Sequence, residues 1–293
     1  MFQNNGVLIL GASGLIGRNL YNLLKDEENI TGTYNQNKSQ GLMHFDISNS
    51  SLNTLPTERK KYGIICSAVT KLDKCKENAE YSNAINVYGT KKILKFFSER
   101  EIIPVFLSSA SVFDGITGNY KEESKKSPTT LYGKQKAEIE YFITENIKDY
   151  LIIRPGKVFG IKKGEDVLFT KWLEDYENDR EIVCASDEKI SPTYALDVAR
   201  GIKVLMEINA RGIFNINPMK HYSRYEMAKK FFKYLDIKDA RIKKCSIDDF
   251  DFKEKRPKNT YLDASKFIKK TGFRFKNLEK CFDLIAEEFK ISK

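Results

Sequence analysis

The sequence predicts an α/β chain: a doubly wound parallel sheet with a smaller, mostly helical C-terminal lobe. Three observations predict it. Short apolar runs alternate with amphipathic segments through the first two-thirds of the chain, the first of those runs enters a glycine-spaced turn, and after about residue 216 helical periodicity takes over. Strand–helix alternation is the pattern of a parallel sheet covered on both faces. With a glycine turn opening the first helix, the larger part reads as Rossmann-type.

In chain order, strands are expected at Val7–Leu10, Ile30–Tyr34, Met43–Phe45, Gly63–Ala68, Pro104–Ser108, Leu151–Arg154, Ile182–Cys184 and Ile213–Asn215. Helical patterns lie near 15–26, 51–60, 83–100, 131–147, 167–178 and 195–208. A last helix from Leu278 puts Cys281, Phe282, Ile285 and Phe289 on one core-facing stripe. The loop after Phe113, "DGITGNYKEESKKSPTT", is long and polar, and such loops beside a sheet end tend to carry function.

At 293 residues the chain can bury a sizeable core, as one large unit or one and a half domains. No run approaches the roughly 20 apolar residues of a membrane span, so no membrane partner is expected. "MFQNNGVLIL" lacks a charged leader and cleavage site, so no signal peptide is expected. Five cysteines without a CxxC pair suit a reducing cytoplasm, with thiols as small apolar filler. Only two histidines, His44 and His221, are available to a metal site or a Ser-His-Asp triad, and no metal is expected. The net charge of +10 comes with Lys-Lys pairs scattered from Lys60 to Lys269 rather than gathered in one stripe. That reads as a solvated surface that attracts anionic ligands, with no nucleic-acid partner.

"VLILGASGLIGRNL" is the strongest local signal. Gly11 permits the tight turn, Gly14 lets backbone approach a pyrophosphate, and Gly17 lets the helix pack closely on the strand. The residues between them, Ser13, Leu15 and Ile16, fall at the helix N-terminus, whose free N–H groups face the phosphates. The second strand, "ITGTY", is followed by Asn35 and then Lys38, where an NAD enzyme would place a carboxylate on the ribose. With nothing to repel a 2′-phosphate and a lysine nearby, NADP is the preferred cofactor and NAD the alternative.

Tyr-x-x-x-Lys, the spacing of a proton-donating pair, occurs six times: Tyr21/Lys25, Tyr34/Lys38, Tyr88/Lys92, Tyr132/Lys136, Tyr225/Lys229 and Tyr234/Lys238. Context has to choose. Carbonyl reduction needs a hydride and a proton delivered to the oxygen; tyrosine ionises near 10, and an adjacent ammonium is expected to lower that value. On a helix the two side chains share a face, and the pair must lie near the carboxyl ends of the strands. Tyr132/Lys136 alone opens the helix after the fifth strand, whose end, "FLSSASVFDG", supplies hydroxyls.

The chain resembles the extended short-chain dehydrogenase/reductases, and within them the dTDP-4-dehydrorhamnose reductase group. The stretches that carry this run nearly end to end and include the GxxGxxG loop, "NAINVYGT", "YGKQKAE", "IIRPGKVFG", "DEKISPTYALDVA" and "RPKNTYLDASKFIKKTGF". The resemblance implies Ser109 as the catalytic hydroxyl, Tyr132 as the acid, and Lys136 as its activator and a contact to the nicotinamide ribose. It implies cofactor contacts from Asp46 and Ile47 near the adenine, from Ser67, Ala68 and Thr70 after the fourth strand, and from Asn86, Ser108 and Pro155. Asp46 also fits a helix N-cap. Substrate contacts are implied for Ser111, Val112, Phe113, Lys157 and Arg256. Residues 1–157 and about 191–215 would form the NAD(P)-binding domain, and about 158–190 and 216–293 the substrate-binding lobe. The implied reaction is hydride transfer from NAD(P)H to C4 of a nucleotide-linked 4-keto-6-deoxysugar. Relatives are often homodimers, and no interface is legible in the sequence.

Departures put the sugar in question. The reductases read Ser-Thr-Asp-Tyr where this chain has Ser108-Ser109-Ala110-Ser111, and Lys157 stands where an aromatic residue commonly meets the sugar. Ala110 lacks the acid a 4,6-dehydratase needs. A nucleotide-sugar 4-epimerase remains an alternative, because "SSASVF" also resembles that group. So does a non-catalytic binding subunit like the regulatory subunit of methionine adenosyltransferase.

Overall fold

The computed structural model describes residues 6–27 and 29–291. The opening residues, on which the signal-peptide expectation bears, lie outside them. The strands are β1 (Gly6–Leu10), β2 (Ile30–Tyr34), β3 (Met43–His44), β4 (Lys60–Ile65), β5 (Ile103–Leu107), β6 (Leu151–Pro155), β7 (Lys157–Phe159), β8 (Ile182–Ala185), β9 (Lys189–Ile190), β10 (Pro192–Tyr194), β11 (Gly212–Ile216), β12 (Tyr222–Ser223) and β13 (Ile242–Cys245). The helices are α1 (Leu15–Leu24), α2 (Leu72–Glu77), α3 (Ala79–Asn83), α4 (Thr90–Ser98), α5 (Leu131–Asn146), α6 (Leu168–Glu177), α7 (Ala195–Glu207), α8 (Arg224–Tyr234), α9 (Ser265–Thr271) and α10 (Leu278–Phe289).

Seven strands form one sheet in the order β11-β6-β5-β4-β1-β2-β3, and each neighbouring pair in it is parallel. The chain walks from β1 to one edge and then returns past β1 to build the other. The order therefore reverses between β1 and β4, and a crevice for a ligand opens outside the carboxyl ends there. Alternation decides the two faces. Val7 and Ile9 join the cluster containing Leu20, Val198 and Ile202, while Leu8 and Leu10 join the cluster containing Ile93, Phe97 and Ile139. Each such side chain contributes about 1.5–3 kcal/mol by leaving water.

Four expectations are corrected. The predicted helix at 51–60 is a short 3₁₀ turn at Leu52–Thr54, and the strand placed at 63–68 begins at Lys60. Lys60 is buried there because its ammonium finds Asn29 O at 2.5 Å, Asn29 Oδ1 at 2.7 Å and Thr31 Oγ1 at 3.0 Å. The helix expected over 83–100 is broken by a π-helical turn at Ala84–Gly89. Gly89 is required in it, since a Cβ would lie 2.6 Å from Ile47 O. The strand at 182–184 stays out of the main sheet and pairs with β13. Beyond residue 216, α8 opens with a reciprocal Ser223–Glu226 capping box. Phe169, Phe231 and Phe282 pack with centroids 4.8–5.1 Å apart in a second cluster that includes Phe159, Trp172 and Ile285. Among the described residues no helix is long and apolar enough to cross a membrane.

Candidate active site

The glycine loop follows β1 directly. Gly11 takes a left-handed φ of +82° and Gly17 is pressed so close that a Cβ would meet Gly11 O at 2.2 Å. Gly14 is exposed, with no protein atom nearer than 3.4 Å to where its Cβ would stand. No side chain caps the N-terminus of α1, so its amides are open toward the crevice. Ser13, Leu15 and Ile16 are half-buried around them.

At the end of β2, Asn35 is half-buried and Lys38 exposed. Asp46 caps a tight turn rather than a helix: it accepts from Ser48 N at 2.8 Å and Ser48 Oγ at 2.6 Å. Ile47 is buried in the core. After β4, Ser67 and Ala68 are half-buried and Thr70 exposed. Asn86, carried on the π turn, pins this segment: its Oδ1 accepts from Val69 N at 2.8 Å, and its Nδ2 donates to Val69 O at 2.9 Å and Gln135 Oε1 at 2.7 Å.

β5 delivers Ser109, and α5 delivers Tyr132 and Lys136. Thr130 caps α5 by accepting from Gly133 N at 3.2 Å, and a Cβ on Gly133 would lie 2.1 Å from Ser111 O. The helix therefore seats tightly on the turn after β5. Tyr132 is buried, with the Ser109 hydroxyl beside it. The Lys136 amine stands 5.6 Å from the Tyr132 ring centroid and donates to Leu107 O at 2.7 Å. Burial pushes Tyr132 well above the usual phenol range, Cys75 adds to that, and the neighbouring Ser109 hydroxyl opposes it. Desolvation pushes Lys136 down to about 8. Lys136 is not among the groups that move Tyr132, so loss of hydration sets the direction here and the lowering expected from the lysine is not seen.

The RmlD substrate binding domain family matches residues 5–290. The chain belongs to that family. It is 26% identical over 294 residues to the probable low-salt glycan biosynthesis reductase Agl14 of Haloferax volcanii, covering 96% of each chain. It is 25% identical to methionine adenosyltransferase 2 subunit beta of Xenopus tropicalis, across 89% of this chain and 81% of the relative. A hypothetical dTDP-4-dehydrorhamnose reductase from Sulfolobus tokodaii superposes with a TM-score of 0.85 at 27% identity, covering 95% of this chain and 98% of that one.

Not every residue expected from the resemblance is open to a ligand in this RmlD-type chain. Val112 and Phe113 are fully buried, Phe113 stacked on Tyr120 at 4.3 Å. Their apolar side chains fill the small core under the loop. The Ser108 hydroxyl points inward, to Glu140 Oε1 at 2.5 Å. Asn86 is likewise enclosed, and Pro155 is buried at the end of β6. Ser111 is half-buried and its N–H donates to Ser109 Oγ at 3.1 Å. Lys157 is exposed yet closely surrounded by protein, as a cleft wall is; desolvation first, then Arg224, push its amine down to about 8 against the pull of Glu188. Arg256 meets Asp73 Oδ2 at 2.6 Å and keeps a buried Nη1 without a partner.

Sequence reasoning missed Gln135, Cys75 and Glu254. Gln135 links Asn86 to Ser82 Oγ (2.9 Å) and Asn83 Oδ1 (2.8 Å), and its place inside "YGKQKAE" was the available signal. A separate cavity of about 320 Å³ holds none of the expected site residues, so chemistry rather than volume selects the site.

Proposed function

We propose that the protein is an NAD(P)H-dependent reductase of a nucleotide-linked 4-keto-6-deoxysugar. The observation that carries this reading is the buried Tyr132, beside the Ser109 hydroxyl and followed one helical turn later by Lys136, at the carboxyl end of β5. A phenol pushed upward by burial holds its proton at neutral pH, which suits a donor. In the reaction, the C4 carbonyl oxygen takes the Tyr132 proton while Ser109 donates a hydrogen bond to the same atom. The phenolate left behind is stabilised by the Lys136 ammonium. A nicotinamide cofactor, when bound, supplies the hydride.

The glycine loop fits that cofactor: Gly14 leaves backbone approachable and the α1 amides are free for a pyrophosphate. Asn35 and Lys38, with no carboxylate at that strand end, favour NADPH. Arg256 and Lys157 bring positive charge for the nucleotide phosphates. The cluster of Phe159, Phe169 and Phe282 would support the substrate-binding lobe. Five free cysteines, three of them buried, suit a reducing compartment such as the cytoplasm.

The test is NADPH oxidation against a panel of freshly made nucleotide 4-keto-6-deoxysugars. Turnover of at least one substrate is expected; none across the panel rejects the reading. The likeness to a methionine adenosyltransferase subunit across 89% of the chain favours a second reading, a binding subunit on the same fold. Co-purification of a stoichiometric enzyme partner, with no turnover, selects it.

A further inference from the structure

Residues 250–258, "FDFKEKRPK", run past the site without regular structure and are held by α2, the start of α5 and the loop after β5. Lys253 N donates to Asp73 Oδ1 at 3.0 Å, and Arg256 reaches the same carboxylate at 2.6 Å. On the far side, Asn259 N donates to Gly115 O and its side-chain amide to Ile116 O, both at 2.8 Å. Between these anchors stands Glu254. Its two carboxylate oxygens accept from the backbone N–H of Leu131 at 3.0 and 3.1 Å, across 123 residues of chain.

Leu131 is the first residue of α5, and Tyr132 is the next. First-turn amides have no partner inside their helix. Thr130 takes the one at Gly133, leaving Leu131 to be satisfied from outside. A carboxylate suits that place because the helix N-terminus is partially positive. The Leu131 amide is the one partner Glu254 has by hydrogen bond or ion pair among the described residues, so the carboxylate has no competing anchor.

We infer that Glu254 is a positioning residue for Tyr132. It fixes the turn that carries the phenol, and it seats the segment that carries Arg256, so catalytic acid and anion contact are aligned by one carboxylate. The inference rests on the reductase reading for its kinetic arm only.

Glu254→Ala removes the acceptor, whereas Glu254→Gln keeps one acceptor oxygen without the charge. Hydrogen exchange over residues 130–133 should quicken about fivefold in Glu254→Ala, with later turns of α5 unchanged, and return toward wild type in Glu254→Gln. In turnover, Glu254→Ala should lower kcat about tenfold and raise the sugar KM while leaving the NADPH KM unchanged, again with rescue by Gln. Unchanged exchange at 130–133, an equal increase along the whole helix, or a Gln variant as impaired as Ala would each overturn it. If the wild-type enzyme turns over no sugar, the reductase reading fails while the exchange measurement still decides whether Glu254 holds the Tyr132 turn.

Discussion

Ser108 and Ser109 are adjacent at the end of β5, yet they belong to two different polar clusters spaced along one face of α5. Ser108 donates to Glu140, which also takes Arg154 at 2.8 and 2.6 Å and Lys126 at 3.3 Å. Arg154 continues to Glu122 O at 3.0 Å, and Glu122 accepts from Asn215 N at 2.9 Å. Its charged centre is closed, Glu140 answering Ser108, Arg154 and Lys126, and only the Asn215 Oδ1 at its rim is left without a partner among the cluster's described side chains. Ser109 instead bonds to Ser111 beside Tyr132 and near Lys136, and under the proposed reaction it is Tyr132 that would give up a proton. A saturated buried network fixes a scaffold, while titratable groups left with open valence at a sheet edge mark chemistry. One step along the backbone separates the two.

Substitutions can break this contrast. The largest effect is expected from Tyr132→Phe, which should lower kcat by about 10²–10⁴-fold with the melting temperature unchanged. Equal rates in both proteins would move the chemistry elsewhere. Next, Glu140→Ala strands the Arg154 guanidinium in the core and should cost about 3–5 kcal/mol in denaturant unfolding. The serines then sharpen the comparison: Ser108→Ala should cost about 1–3 kcal/mol of stability at little loss of rate, since it removes a bond to a charged group. Ser109→Ala should do the reverse, lowering kcat about tenfold or more without destabilisation. Reversed outcomes would dissolve the distinction. The smallest effect is in pH. The Lys136 amine titrates near 8 and is charged below that value, so kcat/KM should decline as pH rises through about 8. Glu140 pulls that amine upward, so Glu140→Gln should shift the decline to lower pH.

Much of this was legible in local sequence. The glycine loop, β1 and the placement of Tyr132 at the start of α5 follow from spacing and strand–helix order. What escaped depended on partners distant in the chain. Lys60 and Lys61 read as surface, and only Asn29 and Thr31 make Lys60 a buried strand residue. Ser108 and Ser109 look alike in sequence until Glu140 claims one of them. Glu254, inside "KEKRPK", reads as one more solvated charge until the fold brings it to Leu131. The short pair β7 and β10 joins residues 157–159 to 192–194, a separation that no periodicity reports.

The π turn at Ala84–Gly89 has a consequence for what insertions and deletions the gene can tolerate. A wide turn absorbs one more residue than an α turn, and each residue rotates an α-helix by about 100°. Deleting a single codon there would let the wide turn close to an α turn, leaving Ile93, Leu94 and Phe97 facing the sheet while Asn86 loses its place against Val69. The extra residue is thus carried locally, and what its loss would disturb is the Asn86 contact rather than the packing beyond it.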